Sequence, residues 1–323
     1  MLRLGLLSTA RINRRILPAA RESGLVEVVA VASRDGVRAA AYGQEHGIGR
    51  VHDGYEELLA DAEVDAVYVP LPNSLHVEWT RRALEAGKHV LCEKPLTDEP
   101  DDAEALFDLA ERQGLVLAEG FMYRHNPQTK RVEELVRDGA IGRLQLVRTS
   151  FGFPVEGAEN IRLAADLDGG SLLDLGTYCV SGMRLLAGEP ESVFGRQVIG
   201  PTGVDDLFTG SLAFPEGVHG LFDCGLRVPF RATLEAVGTE ASLFVDDPWL
   251  CRRPGIELRH GDGVERIPVE PADSYRLELD DFARAVAGKA PPLLGRDDAV
   301  AQARALSALR RSAVQNIPLR PNR

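Results

Sequence analysis

The chain has 323 residues, of which 44% are hydrophobic and 27% charged, with 37 basic against 49 acidic side chains and a net charge of −12. That is ordinary globular usage at about the length of two domains, which excludes long disordered tracts and allows a sizeable core. The acidic balance argues against nucleic acid and a polybasic membrane surface as partners, because phosphate binding needs clustered positive charge.

In chain order, Leu2–Leu7, Val26–Ala32, Ala66–Val69, His89–Cys92 and Leu115–Ala118 are short aliphatic runs that read as strands. Between them, 11–23, 36–46, 74–86 and 99–113 are rich in Ala, Leu, Arg and Glu and read as helices. Strand and helix alternating at this spacing predict parallel strands with helical crossovers, a doubly wound sheet. Arg14-Arg15 ahead of Ile16-Leu17 resembles a twin-arginine export signal, but Pro18 and Arg21-Glu22-Ser23-Gly24 stand where its apolar region belongs. A helix and no export is the expectation there. Cys92, Cys179, Cys224 and Cys251 form no Cys-x-x-Cys pair, so neither a zinc site nor a disulfide framework is predicted and a reducing cytoplasm is the expected compartment. No apolar run approaches the roughly 18 residues that a membrane span needs.

After about residue 120 the pattern changes. A helix is predicted at 127–138, closed by Asp138-Gly139, and strand-like runs follow at 143–152, 192–199, 206–214, 217–226, 230–237 and 241–245. Their separation by short Gly and Pro turns predicts an antiparallel or mixed sheet. Helices are predicted at 170–187, 273–288 and 296–313, and no repeat or low-complexity tract stands out. The expected fold is α/β: a Rossmann-type dinucleotide domain over 1–120, then an α+β substrate and dimerisation domain over 121–323 on one large open, mainly antiparallel sheet.

The turn after the first strand is Ser8-Thr9-Ala10-Arg11-Ile12-Asn13. A dinucleotide fingerprint wants G-x-G-x-x-G there, and Ser, Ala and Asn occupy its three glycine positions. The chemistry survives the substitution, since the small residues and the helix N-terminus still offer N–H groups and a positive dipole end to a phosphate; a plain strand–helix turn is the alternative. The second strand ends at Ala32-Ser33-Arg34-Asp35. NAD enzymes place an acid near position 33 to accept from the ribose 2′-hydroxyl. Ser33 with the Arg34 guanidinium suits a 2′-phosphate instead, so NADP(H) is expected over NAD(H). Asp35 reads as the cap of the next helix, and Arg34 read alone is a solvated loop charge.

Three further stretches follow: Tyr68-Val69-Pro70-Leu71-Pro72-Asn73-Ser74-Leu75-His76, then Gly87-Lys88-His89-Val90-Leu91-Cys92-Glu93-Lys94-Pro95-Leu96, then Gly169-Gly170-Ser171-Leu172-Leu173-Asp174-Leu175-Gly176-Thr177-Tyr178. In this order and spacing, over essentially its full length, the chain resembles the Gfo/Idh/MocA family, named for glucose–fructose oxidoreductase, inositol dehydrogenase and rhizopine catabolism. The resemblance implies an NAD(P)-dependent sugar or polyol oxidoreductase, with hydride carried by the cofactor and no metal needed. It implies that Lys94 sits beside the nicotinamide and the reacting carbon, and that Asp174 and Tyr178 supply the acid/base. Tyr178 stands where inositol-dehydrogenase-like members have His. That, with Asn160-Ile161-Arg162 and Glu119-Gly120-Phe121-Met122-Tyr123-Arg124-His125, is similar to the branch of dihydrodiol dehydrogenases, NADP-dependent xylose dehydrogenases, glucose–fructose oxidoreductase and keto-sugar reductases. The implied cofactor contacts at the first two strands are Ser8, Thr9, Ala10, Arg11, Ile12, Ser33 and Arg34. Further along they are Pro70, Leu71, Asn73, His76, Glu93, Lys94 and Arg162. Arg124, His125 and Tyr178 are the implied substrate contacts.

On a regular helix Asp174 and Tyr178, four apart, share one face. A free tyrosine is phenolate in only about one molecule in a thousand at pH 7; an adjacent ammonium favours the phenolate. Tyr178 is then suited to exchange the hydroxyl proton while Lys94 polarises the substrate oxygen. Each residue has a plainer reading. Tyr178 could be core packing, Glu93 the structural partner of Lys94, Asp174 a cap or orienter, His76 a helix-start residue, and Arg124 with His125 a surface pair. A cis bond before Pro95 would turn Lys94 into a cleft. Two functional alternatives stay open: redox-neutral oxidation–elimination on a sugar with bound nicotinamide, and a non-catalytic NAD(P)-sensing regulator, which has no need of Lys94 and Tyr178. The open sheet, expected to expose an apolar face, predicts a homodimer or dimer of dimers. Specificity is expected in loops around 152–168 and 226–231.

Overall fold

The computed structural model describes residues 1–157 and 159–321. The elements run β1 (Leu2–Leu6), α1 (Asn13–Ser23), β2 (Val26–Ala32), α2 (Gly36–His46), β3 (Arg50–His52), α3 (Tyr55–Leu59), β4 (Ala66–Val69), α4 (His76–Glu85), β5 (His89–Glu93), α5 (Pro100–Gln113), β6 (Leu117–Gly120) and α6 (Pro127–Arg137). They continue with β7 (Leu144–Gly152), α7 (Thr177–Ala187), β8 (Ser192–Ile199), β9 (Asp205–Ala213), β10 (His219–Gly225), β11 (Arg231–Gly238), β12 (Ser242–Asp246), β13 (Ile256–His260), β14 (Gly263–Ile267), α8 (Ser274–Val286) and α9 (Arg296–Gln315). The chain forms two units, one of Met1–Met122 with Tyr275–Val300, the other of Tyr123–Ser274 with Ala301–Arg323.

The first unit is built on a six-stranded sheet of order β3-β2-β1-β4-β5-β6, with every pair parallel. This is the doubly wound arrangement, and strand order reverses between β1 and β4, so ligands are expected outside the carboxyl ends there. The strands read as near-continuous apolar runs because both faces are covered. On one face Ile16, Leu17, Ala19 and Ala20 of α1 pack with Leu279, Phe282 and Ala283 of α8 against Leu4, Leu6 and Tyr68. On the other, residues of α3, α4 and α5 such as Leu58, Trp79, Leu84 and Phe107 pack against Leu7, Val67, Val69 and Val90. Membership of α8 in this unit differs from the sequence expectation, which ran the second domain unbroken from 121 to the end. An amphipathic pattern states that a helix has an apolar face, not which sheet receives it. The Ser23 hydroxyl adds a polar tie by donating to Asp280 at 2.6 Å.

The second unit carries an eight-stranded sheet of order β14-β13-β12-β11-β7-β10-β9-β8, antiparallel throughout except for the parallel pair of β7 and β10. Buried and exposed positions alternate along β11 and β12, the signature of one covered face. That face receives α7 and the second half of α9. A Cβ on Gly176 would lie 2.9 Å from Cys224 Sγ, and one on Gly195 2.7 Å from the Leu309 carbonyl, so the helices lie on the sheet at backbone distance. The outer face is not the apolar surface expected. It carries exposed Arg148, Arg196, Thr209 and Arg231 beside Leu221, with Arg148–Glu235 and Arg231–Asp223 ion pairs. A groove of about 630 Å³ runs between these side chains. Four elements escape the sequence reading. β3, α3 and β14 are too short or too exposed to show a period, and β13 is five residues long.

Candidate active site

The first unit presents a row of strand ends. At β1 the Ser8 backbone has φ 154°, a conformation that favours glycine, so the first fingerprint position keeps its backbone demand although it holds serine. Asn13, at the third position, holds the turn: its side-chain amide donates to the Ser8 carbonyl at 2.8 Å, and the Ala10 N–H donates to Ser8 Oγ at 3.1 Å. The N-terminus of α1 has no side-chain cap and no acid in its first turn, which suits a diphosphate lying against Thr9, Ala10, Arg11 and Ile12. The glycine fingerprint is absent, and the Ser8 hydroxyl and the Asn13 amide supply hydrogen bonds that hold the turn in its place.

At the end of β2, Asp35 accepts from the Arg38 N–H at 3.1 Å and caps α2, as expected. Ser33 Oγ accepts from the Asp35 N–H at 3.2 Å. Arg34 is more than a lone solvated charge. Burial pushes the Tyr55 hydroxyl up, against the pull of the Arg34 and Arg38 guanidiniums beside it. Arg38 was missed by sequence reasoning. It lies in the first turn of α2, whereas Arg34 precedes the extended Asp35 cap, so no helical spacing relates the two and only the fold brings both beside Tyr55.

The end of β4 leads through buried Pro70 and Leu71 to half-buried Asn73. His76, 1% exposed, does not turn outward. Its Nδ1 lies 2.7 Å from the Pro95 carbonyl and its Nε2 2.8 Å from the Leu71 carbonyl, and burial lowers its pKa. The neutral ring donates to one of these two carbonyls and lies buried between the loops that carry them. At the end of β5, Glu93 accepts from the buried Tyr68 hydroxyl, the Lys94–Pro95 peptide is cis, and Lys94 is half-buried.

The second unit holds the acid/base candidates. The expected helix at 170–187 is present and contains a π-helical turn at Leu172–Gly176 that runs into α7, with the Thr177 N–H donating to the Leu172 carbonyl five residues back. Asp174 lies in the wide turn and Tyr178 in the α-helix, so the four-residue spacing no longer spans one regular turn. Such π turns are frequent at functional sites. Arg162 Nε donates to Asp174 Oδ2 at 2.6 Å, and its guanidinium lies over the Phe153 ring at 5.8 Å. Arg162 thus orients Asp174, a role not foreseen in the sequence.

Tyr178 is 7% exposed and sits in an aromatic cluster, with ring centroids of Phe151, Tyr123 and Trp249 at 5.5, 5.9 and 6.2 Å. Trp249 is anchored by its indole N–H to the Ser150 carbonyl at 2.9 Å, and Tyr123 by its hydroxyl to Ser181 Oγ at 2.8 Å. Gly182 makes room, since a Cβ there would meet the Trp249 ring at 2.7 Å. Arg124 donates to Ser181 Oγ at 3.5 Å. His125 is buried, and burial, reinforced by Lys130 and Arg124, drives its pKa down to about 3. The expected alternative of a surface pair is thereby removed for His125. In the loop around 152–168, Ala158 lies outside the described residues.

Among the described residues, no group of His, Cys, Asp and Glu could hold a metal ion. Residues 2–121 match the Gfo/Idh/MocA oxidoreductase family with its NAD-binding Rossmann fold, and 129–244 match the Gfo/Idh/MocA C-terminal domain. The chain is 39% identical to the D-xylose 1-dehydrogenase (NADP(+)) 2 of Haloferax volcanii over 96% of both chains. It is 36% identical to the trans-1,2-dihydrobenzene-1,2-diol dehydrogenase of Oryctolagus cuniculus over 78% of this chain and 76% of that one. Its fold superposes with a TM-score of 0.92 on a 3-ketoreductase from Actinomadura kijaniata in complex with NADP and TDP-benzene, 34% identical and covering 96% of this chain and 97% of that one. With both family domains in sequence order and relatives spanning nearly its whole length, the chain belongs to the Gfo/Idh/MocA family of oxidoreductases.

Proposed function

We propose that this chain is an NADP(H)-dependent dehydrogenase or reductase acting on a sugar, a keto-sugar or a related cyclic alcohol. The observation that carries the cofactor choice is the pair of guanidiniums, Arg34 and Arg38, beside Tyr55 at the end of β2. A 2′-phosphate there gains charge-assisted hydrogen bonds from both and from Ser33. The uncapped start of α1, with Ser8, Thr9, Ala10, Arg11 and Ile12, takes the diphosphate, and Pro70, Leu71 and Asn73 border the rest. When bound, the nicotinamide supplies the hydride chemistry. The chain's own residues handle the oxygen and its proton. Lys94 donates to the substrate oxygen and polarises it. Tyr178 takes the hydroxyl proton in oxidation and returns it in reduction. Arg162 holds Asp174 in place on the turn that leads into the Tyr178 helix, and Arg124 and His125 serve the substrate side. His125, neutral at pH 7, contributes a hydrogen bond rather than a charge. A sugar substrate is named for one of the relatives above, the D-xylose 1-dehydrogenase.

The test is turnover followed by nicotinamide absorbance, with NADP+ and separately NAD+, across aldoses, polyols and cyclic diols, with keto-sugars run in reverse. Turnover on one class with a preference for NADP+ is the expected result. No turnover with tight nucleotide binding retained would overturn the dehydrogenase reading in favour of redox-neutral chemistry or sensing.

A second copy of the chain is the proposed partner for the outer face of the eight-stranded sheet. Its mixed signs, Arg148, Arg196 and Arg231 with Glu235 and Asp223, allow a patch to complement itself about a two-fold axis. A monomer in light scattering would refute the dimer. No helix among the described residues is long and apolar enough to cross a membrane, and four buried free thiols, Cys92, Cys179, Cys224 and Cys251, suit the proposed reducing cytoplasm.

A further inference from the structure

Glu119 closes the apolar strand β6 at 2% exposure. A carboxylate at that depth costs several kcal/mol unless hydrogen bonds replace its water. Its Oε1 accepts the Leu96 N–H at 2.8 Å, two residues beyond Lys94. The neighbouring backbone leaves little slack: a Cβ on Gly120 would lie 3.1 Å from the Cys92 carbonyl and 3.5 Å from Glu93 Cα. The same short run is tied twice more. The Glu93 carboxylate accepts from Tyr68 on β4, and the Pro95 carbonyl faces His76 Nδ1 on α4 at 2.7 Å. Residues 93, 95 and 96 are thus each held by a buried side chain from a different element, and Lys94 is the residue they enclose. Nothing in nucleotide binding calls for a carboxylate at Glu119, whereas a displaced ammonium is costly, since misplacement by about 1 Å can slow turnover about a hundredfold.

We propose that Glu119 is a positioning residue for Lys94: by fixing the Leu96 N–H it sets the turn from which the Lys94 side chain reaches the substrate oxygen. The inference rests on the role given to Lys94 above. A buried acceptor is the function that matters, so its amide analogue retains the role while an apolar side chain of similar volume abolishes it.

The experiment is a double-mutant cycle on the full chain, with single-turnover hydride transfer measured using NADP+ and the panel substrate that turns over fastest. Glu119→Met and Glu119→Leu are two independent removals of the acceptor, and NADPH binding stoichiometry reports the folded fraction of each. Both are expected to slow the step about a hundredfold per bound site, with Kd for NADPH within about twofold. Glu119→Gln is expected within about threefold of the parent. In a Lys94→Ala background, Glu119→Met is expected to change the residual rate by no more than about twofold, because residues acting as a unit are not additive. A hundredfold loss in both backgrounds would show a merely structural role and overturn the proposal, as would undiminished rates in Glu119→Met and Glu119→Leu. Parent-like turnover of Lys94→Ala alone would instead sink the role of Lys94.

Discussion

The two sheets present chemistry in different ways. In the six-stranded sheet both faces are covered by helices, so its functional candidates stand at strand ends: Ser8 after β1, Ser33 after β2, Leu71 after β4 and Lys94 after β5. In the eight-stranded sheet one face is open. Its acid/base candidate Tyr178 comes from a helix laid on the covered face and packed by Phe151 of the sheet, Trp249 and Tyr123. A parallel sheet leaves only its ends for ligands, because its faces are spent on core. A sheet with one covered face can instead use the seam between sheet and helix, where an aromatic ring is held by packing. Positions in the first unit are set mainly by backbone turns, and those in the second mainly by side-chain packing.

That contrast can be broken by experiment. The largest effect should follow Trp249→Ala, which empties the fully buried place beside Tyr178. A loss of about 3–5 kcal/mol in denaturant unfolding is expected, and a loss under 1 kcal/mol would show that packing does not hold the second unit's site. Tyr178→Phe keeps the ring cluster but removes the hydroxyl. Turnover should fall about a thousandfold with unfolding midpoint unchanged, and a thermal shift accompanied by normal kcat would reverse its assignment from proton carrier to core residue. At the strand ends the effects should be on binding, not stability. Arg34→Ala and Arg38→Ala should each weaken NADPH by roughly tenfold or more, from the loss of a charged hydrogen bond, and leave NADH unchanged in a fluorescence titration. Equal losses for both nucleotides would mean that neither arginine reads the 2′-phosphate.

The last effect is absent at neutral pH and grows as a slope on acidification. His125 is held neutral in the folded chain down to about pH 3, against an ordinary value of 6.5. Protons therefore bind the unfolded chain first as pH falls. The stability it contributes is complete above about pH 6.5 and declines towards pH 3, by at most about 1.4 kcal/mol per pH unit. His125→Phe should flatten that part of the stability–pH curve by urea unfolding. An unchanged slope would mean that the imidazole titrates normally in the folded chain.

Much of this was legible in the residues. The strands of the first unit were visible because burial on both faces makes them contiguous apolar runs. The stretches around Pro70–His76, Glu93–Leu96 and Asp174–Tyr178 were visible because their chemistry is contiguous too. Asp35 was readable as a cap from its place one residue before α2. The placement of α8, by contrast, could not be read, because its apolar stripe would suit either sheet. The π turn at Leu172–Gly176 was equally hidden, since one extra residue in a helical turn leaves the local composition unchanged.

The sequence by itself determined the alternating order of the first unit, the family, and the identity of Lys94, Asp174 and Tyr178 as candidates, because periodicity and motif spacing are local properties of a chain. Only the tertiary structure decided what surrounds them. His76 faces Pro95 across 19 residues, Arg162 pairs with Asp174 across 12, and Glu119 reaches Leu96 across 23. Tyr178 is enclosed by rings from Tyr123, Phe151 and Trp249. Such contacts join residues that no local pattern relates; they exist only once sheet order and helix packing have brought distant segments to the same few ångströms.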